Sequence, residues 1–151
     1  MILEATLAYL HLVAVLSWVV FVTSAAVLTR DEIANAAALA RLVRVDRINQ
    51  AAAIATLLTG LARTLWGVKG AAWYWGQPLW WAKLALLLLM LGAGLAASRR
   101  IAGWRRIHAA DGRLPSPDAI AAVRRQLMWS SHLMVLPPLA GVLLARGIAT
   151  L

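Results

Sequence analysis

The sequence predicts an all-α fold, an integral membrane four-helix bundle, and three observations carry that expectation. Hydrophobic residues make up 62% of the 151 residues and charged residues 14%, against roughly 45–50% and about 25% in soluble domains. That is more apolar material than a soluble core of this size can hide. The apolar residues fall into four runs, each close to the ~20 residues that cross ~30 Å of hydrocarbon. The arginines cluster between those runs, so the net charge of +9 reads as membrane topology rather than as nucleic-acid binding.

The first span is expected over about residues 7–28, closed by Arg30 and Asp31. It reads as a retained span and not a cleaved leader. Glu4 stands where a leader would carry basic residues, and the apolar run is too long for a leader's hydrophobic region. The connector that follows mixes Asp31, Glu32, Arg41, Arg44, Asp46 and Arg47 with Ala and Leu. It reads as an interfacial helix or a lead-in to the second span, about 49–66. Between the second and third spans lies a short stretch rich in Gly and aromatics. Trp66, Trp73, Tyr74, Trp75, Trp80 and Trp81 form a belt at one membrane face, the depth at which an amphipathic ring is most comfortable. A ligand-covering lid is the alternative role for that stretch.

The third span is expected over about 79–98. The connector behind it carries Arg99, Arg100, Arg105, Arg106, Arg113, Arg124 and Arg125, opposed only by Asp111 and Asp118. Leu114–Pro115–Ser116–Pro117–Asp118 reads as a turn, with Asp118 as a helix cap. The fourth span, about 126–145, contains Pro137–Pro138, which should kink it. Residues 1–151 thus form a single transmembrane domain. The arginine-rich first and third connectors belong in the cytoplasm, which leaves both termini and the Trp-rich loop outside.

Several chemistries are absent from the sequence. There is no cysteine, so disulfides, Fe–S ligation and thiol chemistry are excluded. No P-loop, hydrolase nucleophile–base pattern or carboxylate pair appears, and no catalytic residue is assigned. The acidic residues fall at span edges and in connectors, which argues against a proton pump with a buried carboxylate relay.

An ionisable residue inside a span is costly and is a functional candidate by default. His11, Arg63 and Lys83 fall in the outer half of the bundle, with Arg146 at the outer end of the fourth span and Glu4 as the nearest acid. Trp18 shares the helix face of His11, together with Leu7, Ala8, Ala14 and Val15. Trp66 closes the second span nearby. The candidate cofactor-binding set is therefore His11, Arg63, Lys83, Trp18 and Trp66, and the candidate metal ligands are His11 and His132. A porphyrin suits such a layer, because its carboxylates want cations near the interface and its ring wants a groove. Asn49, Ala53, Thr56, Gly60 and Arg63 line one face of the second span, and their small members permit close approach of a helix or a flat ligand. The structural alternative is that the cations snorkel to headgroups and the histidines are hydrogen-bonded interior residues. His108, in the basic connector, reads as solvated.

Depth separates the two intramembrane histidines. With midpoints near Ser17 and Leu136, His11 lies outward and His132 inward, an axial offset on the order of 15 Å at 1.5 Å per residue. Two ligands to one iron want similar depth. A single axial histidine, separate roles, or a contact across an oligomer fits better than a clamp within one chain.

Thr59–Gly60–Leu61–Ala62–Arg63–Thr64–Leu65–Trp66–Gly67–Val68–Lys69–Gly70, continuing through Trp73–Tyr74–Trp75 and Pro78, resembles an uncharacterised family of small bacterial four-span membrane proteins. Tyr9–Leu10–His11 also resembles that family. The resemblance implies a fold but no activity, and a multi-pass place in the bacterial inner (cytoplasmic) membrane. Leu10–His11, Ser17–Trp18 and Trp81–Ala82–Lys83–Leu84 resemble, more loosely, the HemJ-type protoporphyrinogen oxidases. That resemblance implies haem b as cofactor, with His11 as ligand and Lys83 in support.

Three functions follow as expectations. The first is a haem- or tetrapyrrole-binding protein with a redox role. The second is a non-enzymatic membrane subunit or assembly factor, acting as a homo-oligomer or within a larger membrane complex. The third, a small transporter or metal-handling protein, is weakest. Buried acids and Cys are absent from the sequence pattern, and the four Met form no ligand series. The partner common to all three is the lipid bilayer.

Overall fold

The computed structural model describes residues 2–30, 33 and 35–148. Asp31 and Glu32, read above as part of the first connector, lie outside the described residues. Among those described there are six α-helices and no strand: α1 (Ile2–Leu28), α2 (Ala36–Trp66), α3 (Gly70–Trp75), α4 (Pro78–Asp111), α5 (Pro117–Leu133) and α6 (Leu136–Ala145).

Local chemistry sets the helix ends. The Asn35 side chain accepts a hydrogen bond from Ala38 N at 2.9 Å, satisfying a donor that the first turn of α2 leaves free. The first connector is therefore a lead-in, since α2 runs unbroken from Ala36 through its charged stretch into the second apolar run. Pro78 opens α4 and Pro117 opens α5, at positions where a missing N–H costs nothing. The cap of α5 is Ser116 and not Asp118. The Ser116 hydroxyl accepts from Ala119 N at 3.3 Å, and Asp118 sits in the first turn, where its charge favours the helix dipole. The third connector is also mostly helix. α4 continues to Asp111 and stops at Gly112, whose φ of 69° is the left-handed conformation that ends helices. The expected break at Pro137–Pro138 is present: α5 ends at Leu133 and α6 restarts at Leu136.

Three helical stretches are long and apolar enough to cross a membrane: Ile2–Leu28, Pro78–Asp111 and Pro117–Ala145. At 34 residues, α4 extends about 51 Å, well beyond the ~30 Å of hydrocarbon. Its Arg99–Arg106 segment therefore projects past the apolar zone. α1 lies along α2 and against α5, and α4 packs on α2, α5 and α6.

The most deeply buried residues gather at the C-terminal end of α1, the N-terminal part of α2, the C-terminal part of α4 and along α5, the side expected from the sequence to face the cytoplasm. Ala25 and Ala97 are fully buried, with Leu42, Ile101, Val123 and Leu127 around them. Small residues let the backbones approach closely there. The outer surface is apolar instead of polar: Tyr9, Leu10, Val13, Leu16 and Val20 of α1 and Leu88 and Leu89 of α4 are exposed. The N-terminal turns of α2 bury Leu39 and Leu42 and expose Arg41, Arg44 and Arg47, whereas its later part reverses that pattern. Across the helix Asp46, Asn49, Thr56 and Thr64 are buried, and Ile48, Ile54, Leu58 and Leu65 are exposed. Asp46, one of the charges of the first connector, is buried. Because α2 is continuous through the connector, the face that carries Thr56 also carries Asp46 inward.

Candidate functional site

A cavity of about 380 Å³ opens between the outer halves of the helices, within the ~300–1,000 Å³ typical of small-molecule sites. α1 contributes Ala8, His11, Leu12, Val15 and Trp18. α2 contributes the stretch from Thr56 to Thr64 that faces α1. α4 contributes Trp80, Lys83 and Leu84, and α6 contributes Pro138 and Gly141. Trp18, Leu87 and Met134 form the inner end, all three nearly inaccessible.

His11 projects from α1 onto Gly60 of α2. A Cβ added at Gly60 would lie 3.2 Å from His11 Cε1, so the imidazole occupies the space that glycine leaves. His11 Nδ1 lies 2.9 Å from Thr59 Oγ1. The Thr59 hydroxyl also reaches the Ala55 carbonyl at 2.6 Å. The Thr56 backbone carbonyl accepts a further hydrogen bond from the His11 ring, so polar groups of both Thr56 and Thr59 orient the imidazole on α2.

Lys83 enters from α4. A Cβ added at Gly141 of α6 would lie 3.4 Å from its Nζ. No carboxylate pairs with Lys83 among the described residues. Arg63, one turn beyond Gly60, pairs with Glu4 at 3.2 Å. The other Glu4 oxygen accepts from Val68 N at 3.2 Å, so one carboxylate ties the start of α1 to both α2 and the loop after it. The turn at Gly67 admits no side chain, since a Cβ there would stand 2.2 Å from the Arg63 carbonyl oxygen.

The Trp-rich stretch roofs the cavity. Lys69 holds its Nζ 3.8 Å from the Trp73 ring centroid, a cation–π contact, and 3.5 Å from the Leu144 carbonyl of α6. Trp80 Nε1 donates to Thr64 Oγ1 at 3.1 Å, locking α4 to α2. Tyr74 turns into the cavity wall. Burial pushes its phenol above the ordinary value; nearby Arg63 opposes that and Glu4 adds to it.

The cavity thus brings together His11, Trp18, Arg63 and Lys83, as expected. Trp66 stands apart, 64% exposed at the end of α2 and outside the wall. His132 is also outside it, on the exposed face of α5, where Nδ1 donates to the Met128 carbonyl at 2.7 Å. Arg146 is exposed beyond the end of α6. Lys69, Tyr74, Trp80 and Thr59 belong to the site and were not in the candidate cofactor-binding set. Tyr74 and Trp80 were read as part of the aromatic belt, in a stretch whose alternative role was a lid, and Thr59 could be paired with His11 only once the register of α1 on α2 was known.

Residues 3–149 match the model of a family described as a predicted membrane protein, DUF2214. No curated protein and no solved structure matches the chain. The looser HemJ-type resemblance rests on its short motifs alone.

Proposed function

The chain belongs to that family of predicted membrane proteins, and we propose that it is a four-span bundle of the inner membrane that binds haem b or a related tetrapyrrole in its outer-half cavity, for a redox role. The reading of α2 as the remaining span rests on its reversed amphipathicity. From Ile48 onward its polar residues Asn49, Thr56 and Thr64 are buried and its large apolar residues Ile48, Ile54, Leu58 and Leu65 exposed, which lowers its mean hydropathy without exposing those polar atoms to lipid. The arginine-rich ends of α2, α4 and α5 face the cytoplasm on this reading, and Lys69 and the aromatic roof face outside.

The observation that carries the ligand reading is the His11 imidazole. Metal-bound histidines characteristically donate their second ring N–H to a fixed acceptor. His11 has such anchors in Thr59 and the Thr56 carbonyl, and its ring lines a cavity that also holds Lys83, which has no carboxylate partner among the described residues. The donor set fits a tetrapyrrole whose iron His11 would hold. Lys83, Lys69 and Arg63 would hold its carboxylates, and Trp18 and Trp80 would flank the ring. Bound there, a haem would supply one-electron chemistry. Leu12 and Val142 line the cavity and are also 55% and 57% exposed on the outer surface. An apolar ligand could pass between them directly from the lipid.

The test is an absorption spectrum of the protein purified after expression with haem supplied. A Soret band that His11→Ala abolishes, with helicity by circular dichroism unchanged, is the expected result. A colourless wild-type preparation would sink the proposal.

A further inference from the structure

We propose that Asp46, Asn49, Gln50 and Ser98 form a binding site for one alkali-metal cation between α2 and α4. The site is separate from the outer cavity: Asp46 and Gly60 are 14 residues apart on one helix, about 21 Å at 1.5 Å per residue.

Asp46, Asn49 and Gln50 stand at i, i+3 and i+4, so they share one face of α2. Across from them, Gly94 and Ser98 share one face of α4. The Ser98 hydroxyl donates to Asp46 Oδ2 at 2.5 Å. The Gln50 amide lies over Gly94, where an added Cβ would come within 3.3 Å of its Nε2 and 3.6 Å of its Oε1. Asp46 is 3% exposed and Asn49 1%.

The bonding is incomplete in a specific way. Asp46 Oδ1, Asn49 Oδ1 and Gln50 Oε1 are all buried without a hydrogen-bond partner among the described residues, and so is one donor, Gln50 Nε2. Buried acceptors are almost always satisfied, and three orphans within one helical turn ask for a common partner. Among the described residues Asp46 also has no Lys, Arg or His in ion-pair contact, and a buried carboxylate without a counter-charge is severely destabilising. A proton on Asp46 would neutralise the charge but satisfy one oxygen only. A cation among the oxygens answers both needs.

The ligand types choose the ion. Carboxylate, amide carbonyl and hydroxyl oxygens suit hard cations, whereas transition metals favour imidazole and thiolate. A single carboxylate balances a single positive charge. Calcium sites gather 6–8 oxygens and usually several carboxylates. Sodium or potassium matches the charge and the donor count.

The experiment uses the full-length protein in detergent. Its melting temperature is followed against NaCl, KCl and choline chloride at constant ionic strength, and equilibrium dialysis with radioactive sodium gives the stoichiometry. A saturable rise of at least about 3 °C with sodium or potassium but not choline, and about one ion bound per chain, is expected. Asp46→Asn keeps the shape, removes the charge and should abolish both responses. Gln50→Ala, which leaves the charge in place, should weaken cation binding at least tenfold. Equal stabilisation by choline, or no ion bound at saturating sodium, overturns the proposal and leaves Asp46 as a protonated structural residue. So does a cation response that survives Asp46→Asn.

Discussion

Two polar layers lie along the same face of α2, and the helices treat them in opposite ways. In the outer layer, His11, Arg63 and Lys83 stand around open space, and Gly60 and Gly141 keep side chains out of it. In the inner layer, Asp46, Asn49 and Gln50 are pressed against α4 beside fully buried alanines. The outer groups bond to neighbouring residues, His11 to Thr59 and Arg63 to Glu4, and not to one another among the described residues. The inner groups are desolvated and leave oxygens unanswered. One face of a helix can therefore serve a ligand site at one end and close packing at the other. What changes between the two is how far the neighbouring helices stand off. α5 lies against α1, whereas past the Pro137–Pro138 break α6 packs on α4. That break opens the outer half.

Several measurements would break or sharpen this contrast. The largest expected effect is at His11: His11→Ala should remove the Soret absorption by more than tenfold, because no other imidazole lines the cavity. Retention of the band would move the ligand site elsewhere and dissolve the distinction between the layers.

Next come the glycines. Gly67→Ala places a methyl group against the backbone carbonyl of Arg63 and disturbs the turn that Glu4 ties down. It should destabilise the protein by about 1–3 kcal/mol, the usual range for overpacking, measured by thermal unfolding in detergent. Gly60→Val should cost a similar amount and should also lower ligand occupancy by displacing His11. A Gly60→Val protein with full ligand content would show that the imidazole does not need that space.

Trp80→Phe removes the hydrogen bond to Thr64 and keeps most of the ring. A loss of about 1 kcal/mol is expected, with Thr64 left as a buried hydroxyl. Smallest in stability, and most informative in sign, is Lys83→Met. A lysine with no acid partner inside the bundle contributes little to folding and something against it. The variant should melt at the same temperature or slightly higher while binding the ligand more weakly. A marked drop in melting temperature would mean that Lys83 is a structural residue.

Much of this architecture could be read without coordinates. The long apolar helices, the connector from Arg30 to about Arg47 as a lead-in (one of two options), the Pro137–Pro138 break and the gathering of His11, Arg63 and Lys83 follow from run length, proline chemistry and the alternating direction of the helices. Those depend on the sequence near each residue and on the fixed thickness of the bilayer. The small-residue face of α2 was also visible, because helical periodicity decides which residues share a face.

The tertiary structure alone decided how the faces meet. The pairing of His11 with Thr59, the inclusion of Lys69 and Tyr74, the exclusion of Trp66 and His132, and the burial of Asp46 against Ser98 all depend on the rotation and register of one helix on another. In a soluble protein hydrophobic patterning would specify that rotation, since the apolar side must turn inward. Lipid is as apolar as the bundle interior, so the rotation comes instead from small-residue contacts and interhelical hydrogen bonds, which periodicity along one helix does not reveal.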